Sequence, residues 1–211
     1  MLLIINLLLA SACAYFLGSV LSAVWCAWCF SLPDPRGFGS KNPGTTNIAR
    51  TKRPYAKFAA LMTLLLDVLK GYIPAYTIAL LGYTKTCVLL VGSMAVIGHI
   101  FPIYYRFNGG KGMATALGVL MVLSWEFTLL NSCVWAVSYY VFRIASVSSI
   151  ISVLTLPVLF LYSDQFYLLS PCVLLLSIFI IYKHLSNIYV LSLEAFLRNK
   201  ESFKSALLAM F

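Results

Sequence analysis

Residues 98–115 read GHIFPIYYRFNGGKGMAT and gather in one stretch the groups that hold phosphate. Gly109-Gly110-Lys111-Gly112 supplies a turn with free backbone N–H groups and a lysine. A helical pattern then begins at Met113, and the positive end of such a helix favours an anion. Gly112 stands where a Walker-type loop carries its magnesium-binding Ser or Thr, so nucleotide hydrolysis is disfavoured. Taken alone, the turn also fits an ordinary loop. His99 closes the apolar run just before it.

Three further polar clusters have related chemistry. Residues 34–50 are rich in Gly and Pro, which forbid a regular helix through Gly44, and crowd Ser40, Asn42, Thr45, Thr46 and Asn47 ahead of Arg50. An arginine grips phosphate with a fork of donors, and amides and hydroxyls can fill the remaining oxygens. A loop that caps a helix and touches lipid head groups is the plainer alternative. Residues 143–149 place Ser146, Ser148 and Ser149 beside Arg143, and residues 183–187 place Lys183 and His184 ahead of Asn187. His99 and His184 are the two histidines of the chain. Asp67 and Lys70 interrupt an apolar run at i, i+3 spacing, which makes them neighbours on a helical face. They read most simply as an ion pair, with contact between Lys70 and an anionic substrate as the alternative; Gly71 and Pro74 allow a break in that helix.

The elements that must position these groups are membrane helices. The chain has 211 residues, 62% of them hydrophobic and 10% charged, more apolar surface than a soluble domain of this size can hide. Apolar runs at 2–30, 57–81, 86–105, 113–124, 127–142, 149–162 and 167–182 predict seven spans, or five to seven because the fourth and sixth are short. Helices are the form that satisfies the backbone within each run. The fold class is therefore all-α and polytopic, a single domain over 1–211 with no internal repeat. With seven spans, Arg36, Arg50, Arg106, Lys111, Arg143 and Lys183 all fall on one side, and the other side carries Lys85 beside Glu126 and Asp164. The positive-inside rule puts the basic side and the C-terminus in the cytoplasm and Met1 outside. Topology and anionic lipid account for the +9 net charge without nucleic acid. No basic residue precedes Arg36, so the first run is expected to remain as a helix, with Gly18, Ser19 and Ser22 as a small packing face. The six cysteines lie in or beside apolar runs and are expected to be packing residues.

Scattered acids disfavour a metal centre, and no Gly-x-Ser-x-Gly elbow points to an acyl-enzyme. What remains is a site that holds anionic substrates in line and stabilises transferred charge. No metal and no cofactor are expected.

Together, Gly39-Ser40-Lys-Asn42-Pro-Gly44-Thr-Thr-Asn47-Ile-Ala-Arg50, Asp67-Val-Leu-Lys70-Gly71, Gly98-His99-Ile-Phe-Pro102 with Phe107 to Thr115, and His184-Leu-Ser-Asn187-Ile188 resemble the bacterial acyl-phosphate:glycerol-3-phosphate acyltransferase family. The resemblance implies transfer of a fatty acyl group from acyl phosphate to the 1-hydroxyl of sn-glycerol 3-phosphate, giving lysophosphatidic acid and phosphate. It implies a seven-helix protein of the bacterial inner membrane with its site at the cytoplasmic face and membrane lipid around it. By position, the expected catalytic residues are Ser40, Arg50, His184 and Asn187. The expected substrate-binding residues are Asn42, Thr46, Asn47, Lys70, His99, Gly109, Gly110, Lys111, Gly112 and Ser146.

The chain departs from that pattern at Asn108, where the family carries a lysine, and at Val190, Glu194 and Phe196, where it carries an arginine, a glycine and an acid. A lost arginine is expected to weaken substrate binding by about 1.5–3 kcal/mol. An inactive lipid-phosphate binder and a small organic-phosphate transporter, the latter built on Asp67, Lys70 and a helix broken near Gly71, are the rival readings.

Overall fold

The computed structural model describes residues 1–185, which form helices and connecting turns with no strand among them. The helices are α1 (Leu2–Gly18), α2 (Ser22–Cys29), α3 (Thr45–Ala49), α4 (Ala56–Leu80), α5 (Lys85–Ile100), α6 (Met113–Leu123), α7 (Trp125–Phe142) and α8 (Ala145–Leu161). A last helix, α9, occupies Tyr167–Leu185.

α4 shows why an apolar chain folds this way. Its buried face is Ala59, Ala60, Thr63, Asp67, Lys70, Gly71, Ala75 and Ile78, whereas Leu61, Leu64, Leu65, Leu69 and Ile73 are exposed. Small and polar residues recur at helical spacing on the inside, and large apolar ones face out. That inversion of a soluble helix suits a lipid surround, where the bundle is held by close packing rather than by hiding leucines from water. Glycines permit the approach. A Cβ on Gly118 of α6 would run into the Val68 carbonyl of α4, and one on Gly71 of α4 into the Thr115 carbonyl of α6. α1 meets α5 in the same manner, Gly18 against Ala95 and Gly98 against the Tyr15 carbonyl.

One predicted run is interrupted, one is continuous where a break was allowed, and one starts earlier than expected. The run 2–30 is not one straight helix: it breaks at Val20 into α1 and α2, bent by 40°. The run containing Gly71 and Pro74 does not break: α4 continues through both for 25 residues, and Gly71 serves the contact with α6. The predicted sixth run also begins earlier, at Ala145, so Ser146 and Ser148 sit at the start of α8 rather than in a loop. Ser148 Oγ donates to the Ile144 carbonyl at 3.0 Å, so the hydroxyl is satisfied within the helix and does not end it.

The helices run between two ends. At one, Lys85 lies over the Phe166 ring at 4.1 Å and its charge is felt at Glu126, which joins the starts of α5, α7 and α9. At the other, the start of α6 meets the start of α8 through Lys111 and Ser146, near the C-terminal part of α9. Three helices are long and apolar enough to cross a membrane, and the bent α1–α2 pair makes a fourth. α6, with 11 residues, is about 16 Å long, short of the roughly 30 Å of a hydrocarbon core.

Gly118→Val is expected to separate α4 from α6 and to destabilise the protein by about 1–3 kcal/mol. Thermal unfolding of the detergent-solubilised protein measures this, and Gly37→Ala, in the first loop where a Cβ makes only an ordinary contact, is the control for a mutated glycine outside the helix contacts.

Candidate active site

The first loop is organised by Asn47, which is buried. Its Oδ1 accepts the Ser40 N–H at 3.1 Å, and its Nδ2 donates to the Pro35 carbonyl at 2.7 Å and the Phe38 carbonyl at 3.0 Å. Gly39 turns the backbone around that amide at φ +57°, where a Cβ would strike Asn47 Oδ1. Asp34 grips Arg36 with contacts of 2.6 and 3.0 Å, and the Arg36 guanidinium lies 5.2 Å from the centre of the Tyr105 ring. The loop is thereby fixed within itself and to the segment after α5. Asn47, expected as a substrate ligand, has its amide committed to this scaffold. The residues it presents are Ser40 and Asn42, half-buried, and Thr46 and Arg50, exposed.

The glycine turn is shaped by His99. The Gly110 N–H donates to the His99 carbonyl at 3.0 Å. A Cβ on Gly109 would meet that carbonyl, and one on Gly110 would meet Nε2 of the His99 ring. Gly112, at φ +82°, is the N-cap residue of α6. Lys111 reaches from the turn to Ser146 Oγ, donating at 2.9 Å. Burial, and then the like charge of Arg50, push the Lys111 amine down to about 8.

His184 is 2% exposed and close enough to Lys111 to feel its charge. Its Nδ1 lies 2.8 Å from the Ile180 carbonyl. A carbonyl only accepts, so Nδ1 carries the proton of the neutral ring and Nε2 keeps its lone pair.

Arg50, Lys111, Ser146 and His184, from four separate segments, thus share one neighbourhood. Lys70 and His99 do not reach its surface: each is 4% exposed. Lys70 contacts Asp67 at 2.8 Å and donates to the Val20 carbonyl at 2.8 Å; His99 underlies the turn. Asn187 lies outside the described residues, as do Val190, Glu194 and Phe196. The sequence reading missed the Val20 carbonyl as the partner of Lys70 and Asp67 as the neighbour of His99, since neither carries a local signal at its separation in the chain.

A bundle with lipid-suited outer faces and a cluster of basic and hydroxyl side chains at the ends of its helices defines the class as an integral membrane protein. A family model described as glycerol-3-phosphate acyltransferase matches residues 8–192. A glycerol-3-phosphate acyltransferase from Idiomarina loihiensis is 39% identical over 179 residues, 85% of this chain and 89% of its own. The crystal structure of PlsY (YgiH), an integral membrane glycerol 3-phosphate acyltransferase in its glycerol 3-phosphate form, is similar with a TM-score of 0.79 and 30% identity. That match covers 90% of this chain and 93% of PlsY. The lysophosphatidic acid form of the same protein matches with a TM-score of 0.79, 29% identity and the same coverage. The chain belongs to the glycerol-3-phosphate acyltransferase family and is a multi-pass membrane protein.

The Lys111 amine yields a pH prediction. Its neutral form is favoured by burial and by Arg50, so its charge is lost as pH rises through about 8. A phosphate monoester is already dianionic there, its second pKa being about 6. The KM for the phosphate substrate is expected to climb between pH 7 and pH 9, and the Lys111→Arg variant to show a flatter profile. A flat wild-type profile over that range removes Lys111 from the anion site.

Proposed function

We propose that the protein transfers a fatty acyl group from acyl phosphate to the 1-hydroxyl of sn-glycerol 3-phosphate, releasing lysophosphatidic acid and inorganic phosphate. The observation that carries this reading is the convergence of Arg50, Lys111, Ser146 and His184 around the Gly109–Gly112 turn in a chain of the glycerol-3-phosphate acyltransferase family. Both substrates are phosphates, and the cluster offers cationic and hydroxyl donors for them. Arg50 reaches the cluster from the first loop, and Ser40, Asn42 and Thr46 of that loop and Asn187 complete the set by the family pattern. Membership in the family, together with structures of PlsY in glycerol 3-phosphate and lysophosphatidic acid forms, supports acceptor and product.

Acyl phosphate is an activated donor, so orientation and charge stabilisation suffice without a covalent enzyme intermediate. The glycerol oxygen bonds to the acyl carbon as the carbon–oxygen bond to phosphate breaks. The hydroxyl proton passes to the departing phosphate or to the lone pair on His184 Nε2, and Arg50 and Lys111 hold the negative charge that leaves.

The chain works in this reading as one domain with seven spans in the bacterial inner membrane, the N-terminus outside and the site and C-terminus in the cytoplasm. The alternation of helix ends supports seven passes, with α6 a short fourth. The transporter reading rested on a helix broken near Gly71, and α4 is continuous there.

The test is a reconstituted reaction of palmitoyl phosphate with glycerol 3-phosphate, following phosphate release and lysophosphatidic acid. Product is expected only with the acyl phosphate donor, and palmitoyl-coenzyme A is expected to give none. Ser40→Ala and Arg50→Ala are each expected to reduce turnover at least 100-fold, the order of one removed charge-stabilising donor. Retained glycerol 3-phosphate binding without product would make the chain an inactive relative.

A further inference from the structure

Beneath the glycine turn lies a buried polar group that the transfer reaction does not touch. Asp67 and Lys70 of α4 and His99 of α5 have side chains only 4–5% exposed, deep among apolar neighbours. Lys70 Nζ stands 2.8 Å from Asp67 Oδ1 but outside hydrogen-bonding angles, and its well-formed bond goes to the Val20 carbonyl at 2.8 Å. Asp67 Oδ1 and His99 Nδ1 are both buried without a hydrogen-bond partner, and they face each other at 3.6 Å. A movement of about 0.6 Å would bring them to the 2.9–3.0 Å of an ordinary N–H···O bond. On its far edge the same ring presents Nε2 to Gly110, in the space a side chain would occupy, while the His99 carbonyl receives the Gly110 N–H. The ring therefore lies between a buried carboxylate and the turn.

We propose that Asp67, held in place by Lys70, is a positioning residue for the glycerol-phosphate-binding turn: it draws the Nδ1–H of His99 and so sets the ring that shapes Gly109 and Gly110. This rests on the acyltransferase reading of that turn and assigns Asp67 and His99 a task within it. Asp67 Oδ1 has its ion pair with Lys70, whereas His99 Nδ1 is buried with no hydrogen-bond partner, and the cost of such a group in a low-dielectric interior argues that this gap closes in the working protein. When the bond forms, Nδ1 carries the proton and Nε2 faces the turn with its lone pair. The device acts on acceptor binding because its contact is with the turn, where His99 lies against Gly109 and Gly110.

Two variants test it. The double variant Asp67→Leu with Lys70→Met replaces a buried ion pair by apolar side chains, a change that folded proteins often tolerate. His99→Phe keeps a ring under Gly110 and removes Nδ1. For both, the KM for glycerol 3-phosphate is expected to rise about tenfold, with the KM for palmitoyl phosphate and kcat held within twofold. Asp67→Asn, which keeps an oxygen for His99 to donate to, is expected to retain most of the acceptor affinity. An unchanged glycerol 3-phosphate KM in His99→Phe overturns the proposal even where the double variant does not fold. So does a loss spread equally over both substrates. A wild-type protein with no donor-dependent product refutes the acyltransferase reading instead, and the two failures are distinct.

Discussion

A buried backbone must have its hydrogen bonds satisfied, and two of the places where this chain departs from regular helix border the buried group of Asp67, Lys70 and His99. At the first, between α1 and α2, the Val20 carbonyl is taken by Lys70. At the second, past the end of α5, the Gly110 N–H is taken by the His99 carbonyl. An unsatisfied group in lipid costs several kcal/mol, so each irregularity requires a polar partner of its own. Lys70 then requires Asp67, because a lone ammonium at that depth is costlier than the carbonyl it satisfies. The break in the first helix and the glycine turn thus explain why one face of α4 is polar. The glycines at 18, 71, 98 and 118 explain how its neighbours come close enough to use it.

The same economy shapes the charge of the site. Asp34 is bound to Arg36, Asp67 to Lys70, and Glu126 accepts from the Ser124 hydroxyl at 2.8 Å at the opposite end. Among the described residues these acids are engaged away from Lys111 and Arg50. Lys111 contacts a neutral hydroxyl, and burial first, then repulsion from Arg50, make its amine lose its proton readily. A phosphate dianion supplies the missing countercharge and reverses that effect. Affinity for anions follows from what the pocket lacks as much as from what it holds.

Chemistry was more legible in the sequence than geometry. Gly109 to Gly112, the donors ahead of Arg50 and the i, i+3 pair Asp67–Lys70 are local patterns, and local patterns survive folding. The break at Val20 was hidden because its partner is fifty residues away, and an apolar run gives no sign of which carbonyl a distant lysine will take. α8 was read as starting late because serines suggest a loop in water; in this helix Ser148 donates back to Ile144 and the helix continues. Pro74 suggested a break because proline removes a donor, yet α4 passes through it. Asn47 illustrates the remaining difficulty: an amide amid hydroxyls and an arginine looks like a ligand, and only the fold shows its amide committed to Pro35, Phe38 and Ser40.

Asn47 and His99 also show how a soft element is made rigid enough for transfer between two bound substrates. Orientation contributes to rate only when reacting atoms are held near contact distance, and misplacement of about 1 Å can cost on the order of 100-fold. A loop rich in glycine and proline lacks that precision by itself. Here one side chain fills the centre of each irregular segment: the Asn47 amide inside the first loop and the His99 ring beneath the second. Each occupies space that a Cβ on the adjacent glycine would claim, so glycine and filler specify one another. The residues proposed to hold phosphate are then free to be few. Their placement is set from below, by groups that need never meet the substrate.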